Sequence, residues 1–138
     1  MMKLKFLVQQ FIRKLMKKIF ILIFTLISFN CFAVEKSTTF TKEIFNKAQL
    51  EGKTVVVNSW NKFCFTCKKQ VKILDQAENE FKDVLFLSFE QNKDKEIADL
   101  LKIEYWTTIV VYKNNKEIHR SIGETDKSEI YLAIQKGV

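Results

Sequence analysis

The chain has 138 residues, of which 47% are hydrophobic and 28% charged, and it contains no proline and only three glycines. This balance is typical of one globular domain and excludes a collagen, a proline-rich linker and a disordered chain. The net charge of +7 is concentrated at one end, since residues 1–33 hold six Lys and Arg and no acid. Residues 34–138 hold 17 Lys and Arg against 16 Asp and Glu. The sequence therefore predicts no nucleic-acid partner.

The first 33 residues have the layout of a secretory signal peptide. Two lysines precede the apolar run Ile19 to Phe29, and small residues lead up to a predicted cleavage after Ala33. Residues 1–15 are interpreted as a misassigned start, because Met16 alone begins a complete signal peptide. The layout predicts a periplasmic or otherwise exported protein. The alternative is an uncleaved inner-membrane anchor facing the periplasm, although a membrane span needs about 20 apolar residues.

Residues 34–138 are predicted to form a single domain of alternating helices and strands. Helices are indicated by apolar residues three and four positions apart, and strands by short β-branched and apolar runs. Asn114-Asn115 between the last two strands is a hairpin signal, because asparagine tolerates positive φ. In chain order the predicted elements are helix 40–50, strand 54–58, a helix carrying Val71, Leu74, Ala77 and Phe81, strand 84–89, a helix from about Asp94, strands 107–112 and 117–122, and helix 128–135.

This order predicts an α/β fold of three layers, in which a central mixed sheet has helices on both faces. Strands separated by helices are expected to pair in parallel, and the closing hairpin adds an antiparallel edge.

Cys64-Phe65-Thr66-Cys67 lies where a buried strand ends and a helix begins. The free N–H groups and the positive dipole end of a helix lower the pKa of a thiol, and the thiolate is the form that attacks a disulfide. Cys64, as a half-exposed first-turn residue, is the candidate nucleophile. Cys67 lies one turn deeper and is the candidate residue to resolve the mixed disulfide. Lys62 and Lys68, together with Lys69, add positive charge that favours the thiolate.

Other uses of a cysteine pair remain open at this point. Zinc needs two more Cys or His ligands, and the chain after the leader offers only His119. A Cu(I) site between Cys64 and Cys67 is an alternative, because soft thiolates suit that ion. A non-catalytic binding domain with a static disulfide is another, although so small a loop gives little entropic stabilisation. The strand before and the helix after the pair favour redox use, with no cofactor beyond the cysteines themselves.

Two segments resemble the thioredoxin family. Val55 to Lys68 reads VVVNSWNKFCFTCK and is similar to the family's strand followed by Trp-x-x-(Trp)-Cys-x-x-Cys-Lys. Ile103 to Asn114 follows the family's Ile-x-x-x-Pro-Thr, four apolar residues and Lys-Asn, and Gly123 matches the glycine before its last helix. The resemblance covers essentially all of residues 34–138 and is closest in character to exported thioredoxin-like domains. It implies a thiol:disulfide oxidoreductase whose partners are exported disulfide-containing proteins or a membrane electron donor.

The main departure from the family is Thr107, which stands where the family has a proline, usually cis, that faces the cysteines. A cis peptide before a residue other than proline costs about 2.5–4 kcal/mol. The Trp106–Thr107 peptide is therefore expected to be either strained or trans, and the substrate groove to differ from that of the family. Phe63, Trp106 and Thr107 are the residues expected to line this groove, and Thr107 would also leave room for a metal or a water.

A second departure is Asn58, which stands where the family has a buried acid. The resemblance implies that this acid accepts the proton of the second cysteine. An amide does not take up a proton. Proton loss from Cys67 is therefore expected to be slower or to use water.

Overall fold

The computed structural model of the chain describes residues 9–10, 12–14, 16 and 39–138. The described residues before position 39 are helical. The rest of the predicted signal peptide, including Ala33, lies outside the described residues, so its cleavage stays a prediction. Within the described ranges, no helix is both long enough and apolar enough to cross a membrane.

Four helices and four strands occupy residues 39–138, in the predicted order. β1 is longer than expected at its carboxyl end, and β3 begins at Thr108 because Thr107 has a positive φ of 58°. Asn114 and Asn115 also have positive φ, of 51° and 58°, which confirms the hairpin. The elements are α1 (Lys42–Leu50), β1 (Thr54–Trp60), α2 (Phe65–Glu80), β2 (Val84–Glu90), α3 (Lys95–Leu101), β3 (Thr108–Lys113), β4 (Lys116–Ile122) and α4 (Lys127–Gln135).

The four strands form one mixed sheet in the order β2-β1-β3-β4. β1 runs parallel to β2, whereas β3 is antiparallel to both β1 and β4. The expectation that every helix-linked pair of strands is parallel is therefore wrong for β2 and β3. At 1.5 Å per residue, the seven residues of α3 extend only about 10 Å, whereas a seven-residue strand extends about 23 Å. α3 is too short to return the chain to the end of the sheet where β2 begins. β3 therefore starts at the end where β2 stops, and it runs in the opposite direction to β2.

Helices cover both faces of the sheet, as predicted. Alternate residues of β1 face opposite sides, so that Val55 and Val57 join one apolar cluster and Val56 joins the other. The first cluster includes residues of α1 and α3, and the second includes Leu74 of α2 and Ile130 of α4. The last residues of β1 and the start of α2 therefore lie in the middle of the fold, at the carboxyl end of the central strand.

Candidate active site

Asn61 shapes the turn between β1 and α2. Its side-chain oxygen accepts the N–H of Phe63 at 2.9 Å, and its carbonyl accepts the N–H of Cys64 at 3.1 Å. The side chain is almost completely buried, so this turn is anchored in the core. The sequence analysis did not single out Asn61, although asparagine bonded to the backbone two residues ahead is a common turn former.

Cys64 is the N-cap of α2, one position before the first turn in which it was expected. Its φ of −85° and ψ of 111° are extended, and its Sγ accepts the N–H of Cys67 at 3.0 Å. The two residues form a disulfide, with their Cα atoms 5.2 Å apart. Cys64 is half-buried and Cys67 is 2% exposed. The sulfur of Cys64 is thus the more accessible of the two and lies at the positive end of the helix.

The hydroxyl of Thr107 faces both sulfur atoms. Its Oγ1 lies 3.4 Å from Sγ of Cys64 and 3.2 Å from Sγ of Cys67. The peptide before Thr107 is trans, since the described residues contain no cis peptide bond. The strain lies instead in the φ of +58°, a left-handed conformation that is a genuine outlier for a β-branched residue and costs about 1–3 kcal/mol.

Backbone hydrogen bonds hold Thr107 in this conformation. Its N–H donates to the carbonyl of Ser59 at 3.0 Å, and its own carbonyl accepts the N–H of Gly123 at 2.9 Å. The hydroxyl of Ser59 also donates to the carbonyl of Tyr105 at 2.8 Å. The end of β1 and the turn after β4 therefore fix the loop opposite the cysteines.

A buried pair of amides supports the same loop from behind. Nδ2 of Asn58 donates to Oε1 of Gln70 at 2.8 Å, and Nε2 of Gln70 donates to the carbonyls of Thr107 at 3.1 Å and Glu124 at 2.9 Å. Gln70 is fully buried and Asn58 is 2% exposed. Through Gln70, Asn58 is connected to the backbone of Thr107.

The sequence analysis missed Gln70, although the chain contains a signal for it. Gln70 follows Cys67 by three residues and precedes Leu74 by four, so it lies on the buried stripe of α2. A polar residue on such a stripe needs a buried partner, and here the partner is Asn58. The remaining oxygen of Asn58 has no hydrogen-bond partner within the described part of the chain. Asn58 is among the residues that line a cavity of about 10 Å³, the size of one water molecule.

Exposed aromatic residues flank Cys64 and precede Thr107 in the sequence. Phe63 is 82% exposed, Phe65 72% and Trp106 44%. The indole N–H of Trp106 donates to Oδ1 of Asn92 at 3.3 Å, which fixes the direction of the ring. Large exposed aromatic groups beside a reactive centre are characteristic of a surface that receives a macromolecular partner.

The lysines near the pair lie mainly over aromatic and acidic groups. Nζ of Lys62 lies 4.9 Å from the centre of the Phe63 ring. A hydrogen bond from Lys93, and then the charges of Lys93 and Lys62, hold the pKa of Glu90 below its ordinary value, against the opposite effect of burial. Lys68 is exposed in the first turn of α2. Whether Lys62 and Lys68 favour the thiolate stays a prediction.

Within residues 9–10, 12–14, 16 and 39–138, no group of three or more His, Cys, Asp and Glu is placed to hold a metal ion. The soft-metal alternative gains no third ligand of these types from this part of the chain.

Comparison of the sequence with known proteins shows the family to which the chain belongs. The sequence model of the family Thioredoxin matches residues 32–136. The chain is 33% identical over 93 residues to a thioredoxin of Mycoplasma genitalium, covering 64% of this chain and 91% of the relative. It is 30% identical over 82 residues to a thioredoxin of Mycoplasma pneumoniae, covering 59% of this chain and 80% of the relative.

Solved structures share the fold. The crystal structure of Trxlp from Edwardsiella tarda superimposes with a TM-score of 0.64 and 25% identity, covering 67% of this chain and 92% of that one. Thioredoxin NaTrxh from Nicotiana alata gives a TM-score of 0.66 at 22% identity, covering 72% of this chain and 90% of that one. Since the family match also spans the Cys64–Cys67 disulfide at the start of α2, the chain belongs to the thioredoxin family and is a thiol:disulfide oxidoreductase whose redox group is this cysteine pair.

Proposed function

We propose that the protein is exported and that it reduces or exchanges disulfides in exported partner proteins, with Cys64 as nucleophile and Cys67 as resolving thiol. The observation that carries the roles of the two cysteines is their unequal exposure. Cys64 is half-buried at the N-terminus of α2, whereas Cys67 is 2% exposed. A partner disulfide therefore meets Cys64 first. A membrane electron donor, or another dithiol, would restore the reduced state.

In the reduced protein, the thiolate of Cys64 attacks one sulfur of the partner disulfide, forming a mixed disulfide and releasing the other sulfur as a thiolate. Cys67 then loses its proton to water and attacks Sγ of Cys64. The Cys64–Cys67 disulfide forms, the second partner sulfur leaves, and both partner thiolates take up protons. Two electrons have passed from the protein to the partner. The N–H of Cys67, 3.0 Å from Sγ of Cys64, stabilises the charge on the attacking sulfur.

The partner contacts are proposed to come from Phe63, Trp106 and the Thr107 loop. The exposed rings of Phe63 and Trp106 supply apolar area at the residues that directly precede Cys64 and Thr107 in the chain. Lys62 lies over Phe63, and Lys69 lies 5.2 Å from the centre of the Phe65 ring. Positive charge therefore overlies the rings, which favours partner segments that combine apolar and acidic side chains.

Export is supported by the lysines, apolar run and small residues of positions 16–33. When the full chain is produced in a bacterium, we expect the cell-envelope fraction to contain a mature protein that begins at Val34. The intact mass of the purified protein gives this result directly. A chain that keeps residues 16–33 and remains attached to the membrane would support the anchored alternative, and a full-length chain in the cytosol would contradict export.

The redox proposal is tested by the reduction of insulin in the presence of dithiothreitol. The full chain is expected to accelerate precipitation of the insulin B chain, whereas a chain with both Cys64→Ser and Cys67→Ser is expected to match the rate without protein. Equilibration of the Cys64–Cys67 pair against glutathione and dithiothreitol gives its reduction potential, which indicates whether the protein reduces or oxidises its partners. A potential near about −270 mV supports a reductase and one near about −120 mV an oxidase. Absence of a reversible couple would overturn the proposal.

A further inference from the structure

We propose that the hydroxyl of Thr107 donates a hydrogen bond to whichever of the two sulfur atoms carries negative charge during exchange. This inference deepens the proposed function and rests on it for the order of the steps. Oγ1 lies 3.4 Å from Sγ of Cys64 and 3.2 Å from Sγ of Cys67, so one hydroxyl reaches both atoms without moving.

The hydroxyl is available for this task because the backbone of Thr107 is already engaged. The N–H donates to Ser59, and the carbonyl accepts from Gly123 and Gln70. The residue is 6% exposed, so water competes little for the hydroxyl. A threonine hydroxyl has one proton and rotates about its C–O bond, so it can turn its donor from one acceptor to the other.

The charge moves between the two sulfurs in a fixed order. In the reduced state the thiolate of Cys64 accepts the N–H of Cys67 and the hydroxyl of Thr107. In the mixed disulfide, Sγ of Cys64 is neutral and bonded to the partner, and Cys67 carries the charge once its proton has gone to water. The hydroxyl then turns to Sγ of Cys67 until the internal disulfide re-forms and two electrons have passed to the partner. Proline has no hydroxyl at this position and cannot perform this step.

The test is the pH dependence of alkylation in the reduced full chain. The rate at which iodoacetamide modifies Cys64 follows its thiolate. Mass spectrometry of the peptide 63–68 separates the pair from Cys31, and fragmentation of this peptide separates Cys64 from Cys67. We expect Thr107→Val to raise the midpoint of Cys64 alkylation by about one pH unit, a roughly tenfold loss of thiolate below the midpoint. In the Cys64→Ser chain, the same change is expected to raise the midpoint of Cys67.

Two further variants separate the hydroxyl from the shape of the loop. Thr107→Ser keeps the hydroxyl and should keep both midpoints. Thr107→Gly lacks the hydroxyl but adopts a φ of +58° without strain. If the valine variant does not fold, the midpoints of the glycine variant show whether the hydroxyl stabilises the thiolates. Thr125→Val makes the same chemical change in the loop before α4 and should alter neither midpoint.

Unchanged midpoints in both the valine and the glycine variants would overturn the inference. A shift at Cys64 alone would overturn the sharing of the hydroxyl. Alkylation needs no partner protein, so this result is independent of the insulin assay. A wild-type chain that does not reduce insulin overturns the proposed function, whereas the midpoints decide the role of Thr107.

Discussion

Replacing Cys67 by serine is expected to turn the protein into a trap for its partner. Cys64 can still attack a partner disulfide, because its half-buried position and the N–H of residue 67 at the helix start are kept. The resolving thiol of the pair is then missing, so the adduct is expected to persist until another thiol cleaves it. Insulin turnover should fall towards the background rate, and a covalent adduct that disappears on reduction should be visible on a non-reducing gel.

The matched control is Cys64→Ser, which leaves only the buried sulfur of the pair. This variant should be equally inactive but should form no adduct, because Cys67 is 2% exposed. Adding Trp106→Ala to the Cys67→Ser chain should slow capture several-fold, since tryptophan is enriched among the interface residues whose truncation costs more than about 1 kcal/mol. Capture by the Cys64→Ser chain instead of the Cys67→Ser chain would reverse the two roles.

Gln70→Leu is expected to cause the largest loss of stability among changes near the site. The two side chains have similar size, so the main effect is the loss of hydrogen bonds rather than a cavity. Asn58 and the carbonyls of Thr107 and Glu124 each lose a partner inside the protein. The carbonyl of Thr107 keeps the N–H of Gly123, and Nδ2 of Asn58 keeps the carbonyl of Ser59 at 3.4 Å. Three lost hydrogen bonds at about 0.5–1.5 kcal/mol each are expected to lower the free energy of unfolding by roughly 1.5–4.5 kcal/mol.

Urea denaturation of the oxidised full chain measures this difference. Gln76→Leu is the matched control, because it makes the same replacement on the same helix at an exposed position. Exposed substitutions of this kind usually change stability by no more than about 0.5 kcal/mol. Equal midpoints for the two variants would show that the buried amides contribute little to stability.

The order of the elements could be predicted because each element carries its own local pattern. The run Thr54 to Asn58 is apolar and β-branched, and α2 repeats buried residues at three and four positions. The position of β3 could not be predicted in this way. Its pairing with β1 joins residues about fifty positions apart, such as Val57 and Val110. It depends on how far α3 carries the chain rather than on the sequence of either strand.

In the candidate active site, too, local features could be predicted from the sequence, whereas contacts between distant residues could not. The cysteine pair was located by a local motif, and the resemblance to a family identified Thr107 as the residue opposite it. The backbone of Thr107 could not be predicted, because its positive φ depends on Ser59, Gly123 and Gln70, which lie far apart in the sequence. The amide pair could not be predicted from local patterns, because Asn58 lies on a strand and Gln70 on a helix, and only their packing brings them together.

The amides behind the Thr107 loop have a consequence for the conditions in which the protein can work. Asn58 and Gln70 hold this loop through neutral groups, and neutral amides neither gain nor lose protons between acid and neutral solution. A carboxylate in the same place would change its charge as its surroundings acidified. The support of the loop at these two side chains is therefore the same in acidic and neutral surroundings.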